Sequence, residues 1–309
     1  MIKTVLATTT SFAKGVPARL ERLKGPGLRV VLNPWARKLS EGELSQLLHE
    51  HRPVGLLAGL EPITRQVLEE ARDFLKVVSR VGAGWDNVDL EAAAESGILV
   101  YRTPGVLTQA VAELTVGLML SALRSITLHD RLVRQGGWQK YMGGLLATKT
   151  VGIIGFGAIG QRVGELVRAF GARVLYYDPL SKDAAWAQAV PLSTLLAEAD
   201  IISLHASGKG QILGPKELGS LCKRGAVLIN TARGGLVDEA ALHDCLSRGH
   251  LSYACLDVFQ EEPYTGPLCH LDNVVLTCHV GSYADEARQQ MEEEAVDHLL
   301  QGLREAKVL

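Results

Sequence analysis

Three polar residues in the second half of the chain could do proton and carbonyl chemistry, and each ends an apolar run. They are Arg233 in "VLINTARGGLVDE", Glu262 in "YACLDVFQEEP" and His279 in "LTCHVGS". An arginine can hold and polarise an α-keto acid. A histidine can exchange a proton with the carbonyl oxygen, and a carboxylate can orient that histidine and favour its charged form. Each residue also has a plainer use. His279 could be a satisfied core histidine, a metal ligand beside Cys278, or a proton carrier. Arg233 before Gly234-Gly235 could end a turn, Glu261 and Glu262 could be loop surface, and Asp257 could cap the turn that follows it. No second ligand pair at finger-like spacing follows Cys278 and His279, which weakens the metal reading.

A second feature narrows the chemistry. The stretch "TVGIIGFGAIGQRVGELVRAFGARVLYYDP" contains Gly155, Gly157 and Gly160 after a strand-like run and at the start of a helical one. It leads to a second strand ending in Asp178, 18 residues beyond the last glycine. That context is what dinucleotide binding requires. Gly155 makes the tight turn, Gly157 lets backbone approach a pyrophosphate, and Gly160 lets helix and strand pack closely. The helix N-terminus offers N–H groups and partial positive charge to a phosphate. Asp178 can accept from the adenosine ribose hydroxyls and would repel a 2′-phosphate. No arginine directly follows it in "DPLSKD", so NAD is expected over NADP.

These residues need strands and helices to place them. A chain of 309 residues implies two domains. Strand-like runs alternate with helical ones throughout, the pattern of an α/β protein with mainly parallel sheets. The first set reads as strands at 2–8, 28–32, 54–58, 77–81 and 98–101, with helices at 18–23, from the Ser40 cap, at 64–74 and at 90–96. A second doubly wound set runs from Thr150 to about His279. In an open α/β sheet, ligands bind beyond the carboxyl ends of strands. If the three apolar runs are strands, Arg233, Glu262 and His279 share a crevice with the glycine turn. Between the sets, residues 108–134 read as one long helix, apolar around most of its circumference, for which a subunit interface is a reasonable cover. Residues from 284 onward read as an amphipathic helix that returns to the first domain.

Composition excludes several classes. The chain is 47% hydrophobic and 21% charged, with 32 Lys plus Arg against 34 Asp plus Glu. That balance argues against a nucleic-acid surface. Seven basic residues lie between Lys14 and Lys38 against Glu21 alone, which reads as a solvated face. No apolar run approaches a membrane span. The five cysteines show no C-x-x-C spacing, so neither a disulfide framework nor a zinc ribbon is indicated, and the cytoplasm is the expected compartment.

The motifs "SRVGAGWDNVD", "TPGVLTQAVAEL", "GFGAIG", "INTARGGLVDEAAL", "LDVFQEEP" and "CHVGS" together resemble the D-isomer-specific 2-hydroxyacid dehydrogenases, which include phosphoglycerate dehydrogenases and glyoxylate/hydroxypyruvate reductases. The resemblance covers nearly the whole chain. It implies a Rossmann NAD-binding domain (100–282) inserted into a flavodoxin-like substrate domain (1–99 plus 283–309). It implies catalytic Arg233, Glu262 and His279, with NAD contacts at Gly155, Gly157, Ala158, Ile159, Gly160, Asp178, Ala206, Thr231, Ala232, Asp257 and Gly281. The segment Val81, Gly82, Ala83 and Gly84 would bind the substrate, with the N–H groups of Gly82, Ala83 and Gly84 cradling its carboxylate. A homodimer through the helix starting near Thr108 is implied, with a 2-keto or 2-hydroxy acid as substrate and no metal. Cys278 stands where proline is usual, Ala158 where arginine is common, and Arg102 where many phosphoglycerate dehydrogenases have asparagine. Lys140 could meet an anionic substrate tail or be plain surface. An NAD-sensing corepressor, or a formate or phosphite dehydrogenase, is the alternative on the same fold.

Overall fold

The structure, a computed structural model, describes residues 2–10, 12, 18–180, 184–208 and 210–309, leaving aside the side chain of Arg19. The basic residue Lys14 and the Lys182 of "DPLSKD" lie outside the described residues. The chain forms two compact units, one of Met1–Leu107 with Ala284–Leu309, the other of Thr108–Tyr283.

The first unit carries β1 (Lys3–Ala7), β2 (Leu28–Leu32), β3 (Gly55–Ala58), β4 (Val77–Arg80) and β5 (Leu99–Arg102). All are parallel, in the order β2-β1-β3-β4-β5, which is the flavodoxin-like winding. Strands β3 and β4 are buried at every position, as expected for a parallel sheet covered on both faces. The helices are α1 (Ala18–Lys24), α2 (Glu41–His51), α3 (Arg65–Ala71) and α4 (Leu90–Glu95). Ser40 starts α2 with a reciprocal capping box to Glu43. Leu44, Leu48, Val67 and Leu68 of α2 and α3 pack with Leu6, Leu56 and Val78 of the strands.

The second unit holds α5 (Leu107–Arg124), α6 (Ile126–Arg134), β6 (Thr150–Ile154), α7 (Ala158–Ala169), β7 (Arg173–Tyr177), β8 (Gln188–Ala189), α8 (Leu192–Glu198), β9 (Ile201–Leu204), β10 (Val227–Asn230), α9 (Glu239–Ser247), β11 (Tyr253–Leu256) and β12 (Val274–Leu276). Its parallel sheet runs β12-β11-β10-β9-β6-β7-β8. Taken from β8, this is the 3-2-1-4-5-6 dinucleotide-binding order with one strand added, and the order reverses between β6 and β9. The glycine turn follows β6, at that switch point.

The last helix, α10 (Asp285–Glu305), belongs to the first unit. Met291, Ala295, Val296, Leu299 and Leu303 cover the sheet face formed by Val5, Leu57 and Val77. Gly302 permits this approach, because a Cβ there would lie 2.8 Å from the Tyr101 ring and 2.9 Å from Val77.

Two expectations change. The expected boundary between residues 99 and 100 falls inside β5, whose pairing with β4 keeps the chain in the first unit to Leu107. The expected single helix over 108–134 is two helices, bent by 63°. Ser125 sits between them in the left-handed region at φ 47°. The chain beyond α6 folds back on the break, where Gly144 N–H donates to Leu123 O at 2.9 Å. Gly143 beside it has no room for a side chain, since a Cβ would lie 2.5 Å from the same carbonyl oxygen. Apolar periodicity continues through Ser125, so the pattern alone does not register the break. Among the described residues no single helix is long and apolar enough to cross a membrane.

Candidate active site

The three glycines of the turn do three different things. Gly155 has φ 88°, and a Cβ there would meet Ala206 N at 2.4 Å. It combines a left-handed turn with close approach to the end of β9, which also fixes where Ala206 lies. Gly160 would drive a Cβ to 2.1 Å from Gly155 O, so it sets how closely α7 packs on the turn. Gly157 is the opposite case, with nothing within 4 Å of the Cβ position. It is the N-cap of α7 and makes no side-chain capping bond, so no side chain of the turn caps the first N–H groups of the helix. Asp178 at the end of β7 anchors the turn by accepting from Phe156 N–H at 2.7 Å. These residues fit a dinucleotide, with a cradle at Gly157 and a carboxylate at the neighbouring strand end.

Beyond β9, His205 lies beside the turn with Nε2 2.8 Å from Ser203 Oγ. Its Nδ1 is buried and has no hydrogen-bond partner, and burial pushes the imidazole down to about 3. His205 is therefore a neutral ring at working pH.

The histidine loop follows β12. His279 takes φ 56°, and its Nδ1 lies 2.9 Å from Glu262 Oε2 and 3.2 Å from Oε1. Donation from Nδ1–H to the carboxylate leaves Nε2 to face outward. Glu262 also accepts from Phe259 N–H at 3.2 Å, so its position is fixed from the β11 side. Gly234, after Arg233, makes the approach of the β10 and β11 loops possible, because a Cβ there would sit 1.9 Å from Phe259 C. Arg233 is half-buried and donates through Nη1 to Ala232 O at 2.7 Å.

Asp257 is 1% exposed, and its carboxylate holds the turn that carries His279. It accepts from Thr277 Oγ1 at 2.6 Å, Val280 N–H at 2.8 Å and Gly281 N–H at 2.8 Å. Its carbonyl accepts from His279 N–H at 2.9 Å. Asp257 thus caps the whole turn that carries His279, the plainer use that the sequence allowed it. Thr231 is buried, with its hydroxyl 2.9 Å from Thr115 Oγ1 on α5. Ala232 is buried as well.

In the first unit, the loop after β4 departs from expectation. Val81 is 3% exposed and packs in the core. Its N–H donates to Ala58 O at 2.9 Å, so Val81 offers a ligand neither side chain nor N–H. Gly82, at φ 149°, donates its N–H to Thr103 Oγ1 at 2.9 Å, which removes one of the three expected donors. Ala83 and Gly84 are half-exposed, and their N–H groups meet no acceptor among the described residues. Two arginines organise the loop. Arg80 Nη1 donates to Val81 O at 2.8 Å and Arg102 Nη1 to Ala83 O at 3.1 Å. Arg80, Thr103 and Thr277 lie inside the quoted motifs, but their roles in holding these loops are not read from them. The strand pairing, with Arg80 opposite Arg102 in register, is what brings the two arginines together.

A doubly wound sheet with a glycine turn at its switch point and a carboxylate at the next strand end defines a dinucleotide-binding protein. The particular family follows from comparison. The sequence profile of the D-isomer specific 2-hydroxyacid dehydrogenase NAD-binding domain matches residues 116–281. A glyoxylate reductase from Thermococcus litoralis is 40% identical over 273 residues, covering 82% of each chain. A D-3-phosphoglycerate dehydrogenase from Methanocaldococcus jannaschii is 40% identical over 265 residues, 82% of this chain and 50% of that longer one. Among solved structures, the TT0316 protein from Thermus thermophilus superposes with a TM-score of 0.90 at 39% identity, covering 97% of both chains. The chain belongs to the D-isomer-specific 2-hydroxyacid dehydrogenase family and is an NAD-dependent oxidoreductase.

Proposed function

We propose that this enzyme interconverts a short 2-keto acid and the D-2-hydroxy acid, with His279 as the acid/base. The observation that carries this is the His279–Glu262 pair at 2.9 Å, on a turn clamped by the buried Asp257. The bound nicotinamide supplies or accepts the hydride. In the reducing direction His279 gives the proton on Nε2 to the carbonyl oxygen, while Glu262 holds the ring through Nδ1 and stabilises its cation. Arg233 binds the keto acid and polarises its carbonyl. The N–H groups of Ala83 and Gly84 receive the carboxylate. In this reading the second unit binds NAD, through Gly155, Gly157, Ala158, Ile159, Gly160, Asp178, Ala206 and Gly281, and the first unit is the substrate domain.

Homodimerisation is supported by the exposed apolar side chains beyond the α5–α6 bend, with Trp138 84% and Met142 100% exposed beside Ile126, Val133 and Leu145. The five free cysteines suit a reducing compartment such as the cytoplasm.

The test is loss of NADH absorbance with glyoxylate, hydroxypyruvate, phosphohydroxypyruvate and pyruvate, each repeated with NADPH. Turnover of at least one acid, faster with NADH, is expected. His279→Ala should lower kcat by about 10²–10⁴-fold and leave NADH affinity, read by fluorescence titration, nearly unchanged. NADH binding without turnover of any acid would favour a sensor over an enzyme for these substrates.

A further inference from the structure

Arg80 and Arg102 occupy paired positions on neighbouring parallel strands. Paired residues on adjacent strands lie side by side about 5 Å apart, a costly arrangement for two cations unless something between them is negative. Here the loop after β4 turns carbonyl oxygens toward both guanidiniums. Val81 O accepts from Arg80 and Ala83 O from Arg102. Arg102 is also fixed from its other side, its guanidinium lying 4.0 Å from the centre of the Trp85 ring. Among the described residues it has no carboxylate partner.

The peptide joining Ala83 to Gly84 is trans, the one cis bond among the described residues being Glu262–Pro263. In a trans peptide the C=O and N–H point in opposite directions. A guanidinium held on Ala83 O therefore lies behind the peptide, and the Gly84 N–H faces away from it. Charge-assisted donation to a carbonyl polarises the whole amide, so its N–H becomes a stronger donor.

We propose that Arg102, braced by Trp85, is a positioning residue. It acts through the Ala83–Gly84 peptide to aim and strengthen the Gly84 N–H that receives the substrate carboxylate. This rests on the reading above that the loop binds that carboxylate. Arg102 itself does not touch the acid.

The experiment compares each acid of the four-acid panel, and the methyl ester of the preferred one, in the wild type, Arg102→Gln and Arg102→Lys. The expected result for Arg102→Gln is a KM for the acid raised about tenfold, with kcat within about threefold and the ester and NADH constants unchanged. Arg102→Lys, which keeps a charged donor without the planar fork, should recover part of the loss. Thermal unfolding midpoints show whether each variant is folded. Equal losses for acid and ester would assign Arg102 a purely structural role and overturn the proposal. A loss confined to phosphohydroxypyruvate would overturn it too, by showing direct contact with a distal phosphate. Wild-type enzyme that treats acid and ester alike would overturn the carboxylate reading of the loop itself.

Discussion

The loops after β4 and β12 are built on opposite electrical plans. The second unit's loop closes around a buried carboxylate, Asp257, which draws in Val280 N–H and Gly281 N–H. The first unit's loop is held by two guanidiniums, which draw in Val81 O and Ala83 O. An anionic anchor consumes backbone donors, so the loop's remaining chemistry must come from a side chain, which in the function proposed above is His279. A cationic anchor consumes carbonyls and leaves donors facing outward, so the loop can receive an anion with no side chain at all. The sign of the anchor thus decides which pole of the peptide a loop presents.

The largest effect should come from removing the anionic anchor. Asp257→Ala would strand three donors at once. It should cost about 3 kcal/mol or more in urea unfolding, with kcat falling about 100-fold as His279 loses its fixed position. If Asp257→Ala kept wild-type kcat, the turn would not need its carboxylate. A smaller effect is expected in the first unit. Thr103→Val removes the acceptor for Gly82 N–H and should cost about 1–3 kcal/mol, raising KM for the acid severalfold with kcat little changed. A collapse of kcat with KM intact would break the division of labour between the loops.

The smallest effect concerns pH. Burial lowers His205 to about 3 from an ordinary 6.5. The stability linked to it is fully present above pH 6.5 and is lost as pH falls toward the folded value, because the unfolded chain takes up a proton that the folded one refuses. Between pH 6.5 and 5, where carboxylates titrate little, the wild type should lose stability relative to His205→Gln, at no more than about 1.4 kcal/mol per pH unit. Parallel stability curves for the two proteins across that window would rule His205 out as the cause.

Much of this molecule is legible in its sequence. The glycine turn, Asp178 and the His279–Glu262 pairing follow from short-range spacing and from the rule that ligands gather beyond strand ends. What was not legible depends on which strands lie side by side. That Asp257 gathers Thr277, Val280 and Gly281 around its carboxylate depends on the strand order, not on its own motif. Arg102 looks like a departure from a motif until the register sets it beside Arg80. The bend at Ser125 is hidden for a different reason. Helical periodicity reports which face is apolar, and that face continues on both sides of the one residue that leaves the helix.

The return of α10 to the first unit bears on how a ribosome must deliver this protein. Met291, Val296 and Leu299 cover a sheet whose strands emerge within the first third of the chain. Domains made in one continuous stretch can fold as they are completed. Here the unit whose synthesis starts first is finished last, after every residue of the other has been made. Until then the apolar sheet face that α10 covers lacks its helix on the nascent chain.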